Sequence, residues 1–456
     1  MDNLMAVILA AGEGKRMKSK KSKMLHRLCG KTFIERIYSA AKDSGINDCI
    51  LVVGHKADQV IEYMGDKVKY VEQKEQLGTG HAVMQAQSYF ENFDGYVVIL
   101  CGDTPLITSD TIKKTIEYHK EKGNAATVIT AEIENPYGYG RIVRDDRGNV
   151  VKIVEQRDAT EEEKNIREIN SGLYCFTARE LAEALKGLDN NNDQGEYYLT
   201  DTIQILIKKG LKVGALKTDP DEVMGINDRV QLAEASNILR KKIAEKHMRS
   251  GVTIIDPSAV YIDEDIEIGI DTVIYPGTIL EGNTKIGENC VIGPNTRLIN
   301  AKIGNDTEVI SSVIIDSSVG NETRVGPFAY IRPECTIGNN VKIGDFVEIK
   351  KSTIGNNTKI PHLAYVGDSS IGNRVNIACG VVTVNYDGKN KHRTIVSDDA
   401  FIGCNVNLVA PVTIEENAYI AAGSTINENV PANSLAIARQ RQIVKEDYVK
   451  LNNMKK

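Results

Sequence analysis

Hydrophobic positions divide the chain into two parts that differ in their spacing. Up to about residue 228, short apolar runs alternate with stretches of helical spacing, which predicts strands that alternate with helices. The predicted strands are Met5–Ala10, Cys49–Gly54, Val68–Val71, Tyr96–Cys101 and Ala126–Ala131, and the predicted helices are Phe33–Ser44, Gly80–Ser88 and Ser109–Glu121. This alternation favours an α/β fold with a mostly parallel, doubly wound sheet.

From about residue 252, aliphatic residues recur every six positions. Three unbroken runs of this kind extend over residues 262–298, 319–349 and 396–426. The spacing matches neither the helix repeat of about 3.6 nor strand alternation, and a short fixed period is typical of a solenoid. Three six-residue units complete one triangular coil, so we expect a parallel β-helix of about ten coils. Polar and basic residues interrupt the period at 382–396 and predict a projecting loop.

The chain is long enough for at least two domains. Residues 229–249 contain neither glycine nor proline and carry one apolar stripe at helical spacing. We therefore predict a first domain over residues 1–228, a linker helix over 229–250 and a second domain over 251–456.

Composition excludes several classes of protein. The net charge of −6 provides no electrostatic basis for binding nucleic acid or an anionic membrane. The eight cysteines form no CxxC pair, so we predict neither a zinc site nor a disulfide framework. The apolar run Met5–Ala11 is too short for a signal peptide, and no run reaches the ~18 residues that span a bilayer. We expect a cytoplasmic protein without nucleic-acid or membrane partners.

A glycine-rich loop with several cations follows the first predicted strand. In "LAAGEGKRM", residues 9–17, two glycines allow backbone N–H groups to approach an anion, and the cations Lys15, Arg16 and Lys23 surround it. A glycine-rich loop alone is a weak indicator, and an ordinary strand-to-helix turn remains the alternative. The loop, with its lysine seven residues after the arginine, resembles the signature of the sugar-nucleotide pyrophosphorylases. Proline usually precedes that lysine in the family, whereas this chain has Ser22.

Three further segments fit the same resemblance: "EQLGTGHA" (75–82), "VVILCGDTPL" (97–106) and "VMGINDR" (223–229). The resemblance implies that UTP and the UDP-sugar are bound by Leu9, Ala10, Ala11, Gly12, Arg16, Lys23, Gln73, Gly78, Thr79, Gly140, Glu155, Asn170 and Asn227. It assigns the uracil base to Gln73, Gln76, Gly78 and Thr79, and the sugar to Gly140, Glu155 and Asn170. It also implies that Asp103 and Asn227 hold Mg2+, and a carboxylate at the carboxyl edge of a strand suits a divalent cation. Taken alone, Asp103 would more often simply end its strand. Cys101 stands where some relatives have tyrosine.

The coil half carries a second ordered set of segments: "RPECTIG" (332–338), "FVEIKKSTIG" (346–355), "PHLAYVGD" (361–368), "VNIACG" (375–380) and "NYDGKNK" (385–391). A single histidine in a repeat is more often structural than catalytic. With these segments around it, the coil resembles the hexapeptide-repeat acyltransferases, which fold as left-handed parallel β-helices. Both halves together resemble a family of bacterial bifunctional N-acetylglucosamine-1-phosphate uridyltransferases and glucosamine-1-phosphate acetyltransferases, with a Rossmann-like nucleotidyltransferase domain before the β-helix.

The resemblance implies acetyl transfer from acetyl-CoA with His362 as the general base, a task that suits an imidazole. It assigns glucosamine 1-phosphate to Arg332, Lys350, Tyr365 and Asn376, and acetyl-CoA to Cys379, Asn385, Tyr386, Cys404, Ala422 and Arg439. Relatives often have Ala and Ser where this chain has Cys379 and Cys404. The resemblance further implies a homotrimer and a product that feeds peptidoglycan synthesis.

Two alternatives remain open at the level of the sequence. One is a nucleotidyltransferase with a single activity, such as a glucose-1-phosphate enzyme, whose coil is regulatory and for which His362 is dispensable. The other is a pyrophosphorylase-like subunit that has lost catalysis. The second alternative predicts the loss of Asp103 or of the loop cations, and both are present.

Overall fold

The computed structural model of the chain describes residues 3–452. The chain divides into two compact units, and the division falls after Leu239, inside the helix Arg229–Arg249. None of the described helices combines the length and the apolar character that crossing a membrane requires.

One β-sheet with helices on both faces forms the first unit. Its strands are β1 (Leu4–Ala10), β2 (Arg27–Leu28), β3 (Lys31–Thr32), β4 (Asp48–Val53), β5 (Lys69–Glu72), β6 (Tyr96–Cys101), β7 (Ala126–Glu132), β8 (Gly140–Arg144), β9 (Val150–Val154), β10 (Glu168–Thr177) and β11 (Val213–Lys217), with β2 and β3 paired outside the main sheet. The helices from the start of the chain are α1 (Phe33–Asp43), α2 (Ala57–Met64), α3 (Thr79–Gln85), α4 (Gln87–Phe90), α5 (Ser109–Lys122), α6 (Glu161–Lys164), α7 (Ala178–Leu185), α8 (Asp201–Lys208) and α9 (Arg229–Arg249).

The sheet confirms the predicted α/β class, although several of its strand pairs are antiparallel, among them β8 with β9 and β8 with β10. The strand order is β11-β7-β10-β6-β1-β4-β5, and β10 runs antiparallel to both β6 and β7. Strand β1 lies in the middle with parallel neighbours on both sides. Its residues Val7 and Ile8 belong to apolar clusters on opposite faces of the sheet. Burial on both faces explains why this strand is an uninterrupted apolar run.

The second unit contains three stacked parallel sheets, which confirm the predicted coil. The first coil sheet consists of Thr253–Ile254, Val273–Ile274, Val291–Ile292, Glu308–Val309, Arg324–Val325, Lys342–Asp345, Lys359–His362, Asn376–Ile377, Phe401–Ile402, Tyr419–Ile420 and Leu435–Ala436. The second consists of Tyr261–Ile262, Ile279–Glu281, Arg297–Ile299, Val313–Ile315, Tyr330–Ile331, Glu348–Lys350, Tyr365–Gly367, Val382–Val384, Asn407–Val409 and Thr425–Ile426. The third consists of Glu267–Ile268, Lys285–Ile286, Lys302–Ile303, Ser318–Val319, Thr336–Ile337, Thr353–Ile354, Ser369–Ile371, Thr394–Val396 and Val412–Ile414. A short helix, α10 (Tyr448–Leu451), follows.

The six-residue period has a simple cause in this architecture. Each six-residue repeat contributes one short strand whose aliphatic residue points inward. These side chains are buried in all three runs apart from the partly exposed Ile268. The interruption is shorter than predicted, because strands occupy 382–384 and 394–396 and only residues 385–393 leave the coil. Close packing also limits residue choice. A Cβ at Gly344 would overlap the carbonyl oxygen of Pro361 in the next coil.

Removing one inward-pointing side chain should destabilise the coil measurably. Ile349 is fully buried, so we expect Ile349→Ala to lower the free energy of unfolding by about 2–5 kcal/mol, the range for a cavity in a packed core. Ile395 of the same unit is 40% exposed, and Ile395→Ala should cost only about 0.5 kcal/mol. Urea unfolding followed by circular dichroism measures both. Equal losses would contradict the inward role of the periodic residues.

Candidate active sites

The first unit has an open cleft of about 440 Å3 beside the carboxyl ends of its central strands. Most residues predicted to bind the nucleotide or Mg2+ line it: Leu9, Ala11, Gly12, Arg16, Lys23, Gln73, Gly78, Thr79, Asp103 and Asn227. Ala10 does not, because successive residues of a strand face opposite sides of the sheet and Ala10 is buried in the core. Lys15 and Gln76, which belong to the predicted segments, also line the cleft, as do Glu13 and Glu196, which were not predicted to bind a ligand.

Lys23 connects the two predicted metal ligands. Its ammonium Nζ donates hydrogen bonds of 2.8 Å to Asp103 Oδ2 and 2.8 Å to Asn227 Oδ1. The side chain is only 7% exposed, and a buried ammonium requires such partners. A backbone hydrogen bond from Ile226 N to Asp103 O, 2.8 Å long, holds the Asn227 segment beside Asp103.

This pair of oxygens fits a divalent cation. The carboxylate of Asp103 and the amide oxygen of Asn227 already converge on one positive group, and oxygen is the ligand type that Mg2+ prefers. Two protein ligands are enough for Mg2+, which keeps waters and substrate phosphates as its other ligands. In the described part of the chain, no three His, Cys, Asp or Glu side chains cluster closely enough to form a metal site of another kind.

A glycine in the cation-rich loop allows Lys23 to pack beneath it. Gly14 has a φ of 61°, in the left-handed region that glycine tolerates. A Cβ at this position would lie 2.8 Å from the Cβ of Lys23. The glycine therefore serves both the turn and the placement of the lysine against the loop.

The segment that the resemblance assigns to the base is held by hydrogen bonds to its surroundings. Gln73 Nε2 donates to Gly78 O over 3.1 Å and lies 3.1 Å from His81 Nδ1. Thr79 Oγ1 accepts a hydrogen bond from Leu199 N over 3.1 Å. The loop is therefore fixed at one edge of the cleft.

The three residues predicted to hold the sugar come together. Gly140 and Asn170 are register partners, and a Cβ at Gly140 would lie 3.5 Å from Glu155 Oε1. Burial raises the pKa of Glu155, although a hydrogen bond from Thr200 partly opposes the shift. Hydrogen bonds connect these three residues to the cleft. The thiol of Cys101, which lines the cleft, donates to the carbonyl of Gly172. The amide of Gly172 in turn donates to Asn170 Oδ1.

In the second unit, coil register places five residues in one line, which we call the His362 column. Asp345 and His362 are direct register partners, and the pairings of the following coils extend the line to Cys379, Cys404 and Ala422. Both cysteines are free and exposed. Three residues that the resemblance assigns to acetyl-CoA thus lie on the same side of His362, one coil apart.

Arg439 lies near the end of the column. The side chain is exposed, and a Cβ at Gly423, the residue after Ala422, would lie 3.9 Å from Arg439 Cδ. This placement keeps Arg439 within reach of a long ligand that follows the column.

A carboxylate that was not among the predicted site residues is hydrogen-bonded to His362. Asp345 Oδ1 lies 2.6 Å from His362 Nδ1, and both side chains are well exposed, 40% and 56% respectively. This hydrogen bond from His362 is the main factor that lowers the pKa of Asp345. A sequence signal did exist, because the two residues are 17 positions apart, about one coil.

Three cations form a second group, the cation cluster of Arg332, Lys350 and Lys391. Arg332 and Lys350 are aligned on successive coils, and Lys350 is buried and lies 3.6 Å from Asp368 Oδ2. Lys391 can accept a hydrogen bond from the ammonium of Lys350 only as a neutral amine, and this preference together with repulsion by the charge of Lys350 lowers the pKa of Lys391. Lys391 was not among the predicted site residues, although it belongs to the quoted segment "NYDGKNK".

Tyr365 and Asn385 lie between His362 and the cation cluster. Tyr365 begins the strand Tyr365–Gly367, which starts three residues after His362 and ends at the register partner of Lys350. Three strand residues span roughly 10 Å, the length of a sugar phosphate. Asn385 Nδ2 donates to Asp368 and, over 3.4 Å, to the hydroxyl of Tyr365. Gly367 leaves room here, because a Cβ would overlap the side chains of Tyr365 and Asn385.

Two predicted residues lie apart from this arrangement. Asn376 belongs to the first coil sheet, where its register partners are Lys359 and Phe401, and it does not adjoin the cation cluster within one chain. Tyr386 lies in the projecting loop, where its hydroxyl donates to Gly388 O over 2.6 Å.

Comparison with known proteins supports both halves. The nucleotidyl transferase family matches residues 5–221. The bacterial transferase hexapeptide family matches residues 265–300, 316–351 and 393–428. The stacked parallel sheets together with this second match are those of a left-handed β-helix.

Full-length relatives are more specific. The bifunctional protein GlmU of Acetivibrio thermocellus is 65% identical over 450 residues, covering 98% of both chains. The chain belongs to the GlmU family. Its relatives also include the GlmU proteins of Clostridioides difficile, 54% identical with 99% of both chains covered, and of Caldanaerobacter subterraneus, 57% identical with 98% of both chains covered.

Membership of the GlmU family decides between the alternatives left open above. The chain is a bifunctional enzyme with a nucleotidyltransferase domain followed by a hexapeptide-repeat acyltransferase domain. The single-activity and inactive-subunit interpretations are therefore wrong.

Proposed function

We propose that the two units carry out consecutive transfers. Residues 251–456 transfer an acetyl group from acetyl-CoA to glucosamine 1-phosphate. Residues 1–228 then transfer a uridylyl group from UTP to N-acetylglucosamine 1-phosphate and release pyrophosphate, with 229–250 as the linking helix. The observation that most supports this is that each unit holds its own group of predicted site residues, in a chain of a bifunctional family.

The first unit must bring two anions together. An oxygen of the sugar phosphate attacks the α-phosphorus of UTP, and repulsion between the phosphates opposes this approach. Lys23, Arg16 and Lys15 supply positive charge at the cleft. Asp103 and Asn227 would hold Mg2+, whose chemistry there is to neutralise phosphate charge. Gln73, Gly78 and Thr79 lie at the edge that would receive the base.

The second unit provides a base and a phosphate site about one strand apart. His362 accepts a proton from the amine of the sugar as the amine nitrogen attacks the thioester carbonyl carbon. A C–N bond forms, the C–S bond breaks, and the departing coenzyme A thiolate takes up the proton. Arg332, Lys350 and Lys391 bind the phosphate dianion, which also relieves the repulsion among these cations.

The same proposal covers assembly and location. An exposed apolar ridge lies beside the His362 column, one residue further along each strand direction, and consists of Phe328, Phe346 and Leu363. The rings of Phe328 and Phe346 are stacked with their centroids 5.5 Å apart. An exposed ridge of this kind is typical of a protein interface, and we assign it to packing between the coils of a cytoplasmic homotrimer. The UDP-N-acetylglucosamine produced feeds peptidoglycan precursors.

Separate readouts test the whole proposal. The full chain is incubated with glucosamine 1-phosphate, acetyl-CoA, UTP and Mg2+, and free thiol and pyrophosphate are followed independently. Thiol release should continue without UTP, whereas pyrophosphate release should require acetyl-CoA or pre-acetylated sugar. Pyrophosphate release from unacetylated sugar at the full rate would contradict the order of the two transfers.

Asp103→Asn should selectively impair the first unit. The change removes a charged oxygen from the pair that would hold Mg2+, so we expect pyrophosphate release to fall at least a hundredfold and its half-saturating Mg2+ concentration to rise. Thiol release should stay unchanged. Asp110→Asn provides the matched control, because Asp110 is an exposed residue of α5 that forms a surface ion pair with Lys114. Unchanged Mg2+-dependent turnover would refute the metal role.

His362→Ala should have the reciprocal effect. Without the imidazole, the amine keeps its proton during attack, so acetyl transfer should fall by two or more orders of magnitude. Uridylyl transfer to pre-acetylated sugar, measured in the same preparation, should be retained. A similar loss of both activities would be inconsistent with two independent sites.

Alkylation should separate the activities through the His362 column. Cys379 and Cys404 are exposed, whereas Cys290 and Cys335 of the same unit are buried. N-ethylmaleimide should therefore modify the exposed pair first and abolish acetyl transfer but not uridylyl transfer, because a bulky adduct would occupy the acetyl-CoA path. The double variant Cys379→Ala, Cys404→Ser should resist inactivation. Mass spectrometry shows when both thiols are modified. If acetyl transfer then remained complete, the two cysteines would not lie on the acetyl-CoA path.

A further inference from the structure

We infer that Asp345 is a positioning residue for acetyl transfer, holding the ring of His362 through Nδ1 so that Nε2 is presented to the substrate amine. The inference rests on the proposed role of His362 as the base. It adds a residue that neither the motifs nor the comparisons assign.

The contact is short and is built into the coil. Asp345 Oδ1 and His362 Nδ1 are 2.6 Å apart, and the two residues are register partners at the ends of neighbouring strands of the first coil sheet. The amide of Leu363 donates to the carbonyl of Asp345 over 2.9 Å. Gly344 and Pro361, which precede the pair, approach so closely that no Cβ fits at Gly344. The backbone on both sides therefore fixes the distance that the side chains bridge.

The geometry determines the tautomer. A carboxylate only accepts hydrogen bonds, so Nδ1 must carry the proton that is shared with Asp345. In a neutral imidazole the lone pair is then on Nε2, which is the nitrogen free to take a proton. Among residues 3–452, Nε2 of His362 has no hydrogen-bond partner. The hydrogen bond also keeps the pKa of Asp345 below its ordinary value, so the carboxylate is ionised at neutral pH.

Stability alone does not account for the pair. Both side chains are well exposed, and exposed ion pairs contribute little to folding. The contact instead limits ring rotation in a residue that must transfer a proton in one direction, and the carboxylate faces the positive charge that the ring acquires. A comparable exposed pair, Glu267 with Lys285, connects two early coils over 2.7 Å and serves as the control.

The test measures acetyl transfer by the full chain with glucosamine 1-phosphate and acetyl-CoA. Asp345→Ala should lower kcat roughly tenfold to a hundredfold, the usual effect of losing a group that orients an imidazole, while KM for both substrates changes less than twofold. Asp345→Asn should fall between wild type and Asp345→Ala, because its amide oxygen can still accept from Nδ1 but lacks the charge. Glu267→Ala should match wild type in kcat, and all three variants should retain uridylyl transfer and their thermal midpoints.

A double-variant cycle separates this inference from the proposed function. In a His362→Ala background, Asp345→Ala should cause no further loss, because a residue that acts through another has no effect without it. An equal additional loss in that background, unchanged kcat in Asp345→Ala, or Asp345→Asn as impaired as Asp345→Ala would overturn the positioning role. If His362→Ala itself kept full acetyl transfer, the proposed function would fail instead.

Discussion

Backbone register between successive coils is the constraint on which the second unit depends. Every coil donates hydrogen bonds to the next, as in the 2.8 Å bond from Arg332 N to Ile349 O, while aliphatic side chains fill the interior. Neighbouring strands lie about 4.8 Å apart, so each exposed side chain has its nearest neighbours one coil before and one coil after it. The His362 column and the alignment of Arg332 with Lys350 on successive coils both result from this register. The apolar interior keeps the stack rigid, and the polar site residues lie on its outside.

Charge pairing in a cleft has the corresponding role in the first unit. The ammonium of Lys23 is nearly buried, and an unpaired cation in that position would be strongly unfavourable. Its two partners are 80 and 204 residues away along the chain. The sheet brings these residues together because β1 and β6 are parallel neighbours. Asp103 follows β6 at the same edge of the sheet at which the loop after β1 begins, and a backbone hydrogen bond holds the Asn227 segment there. The cleft therefore combines a preorganised cation with two oxygen ligands.

Sequence-based predictions succeeded or failed for identifiable reasons. Strand β6 agrees with its prediction at both ends, because an apolar run bounded by polar residues reflects burial directly. The antiparallel direction of β10 was not predicted, and Ala10 was assigned to the nucleotide although its side chain lies in the core, since apolar content records neither strand direction nor which face a residue occupies. Asp345 was not predicted, because the separation of register partners changes from coil to coil: it is 17 residues for Asp345 and His362, 18 for Tyr261 and 25 across the projecting loop. A fixed period therefore does not identify surface neighbours.

The sequence by itself determined the α/β and β-helical folds and the family resemblance of the motifs. These properties depend on local periodicity and on whether individual residues are buried. Both can be recognised in the sequence without knowledge of the tertiary contacts. Only the tertiary structure decided that Lys23 donates hydrogen bonds to both Asp103 and Asn227. The same is true of the hydrogen bond between Asp345 and His362 and of the interaction between Lys391 and Lys350. Such contacts depend on register and loop geometry, because hydrogen bonds and charge interactions act over a few ångströms in space whatever the separation along the chain.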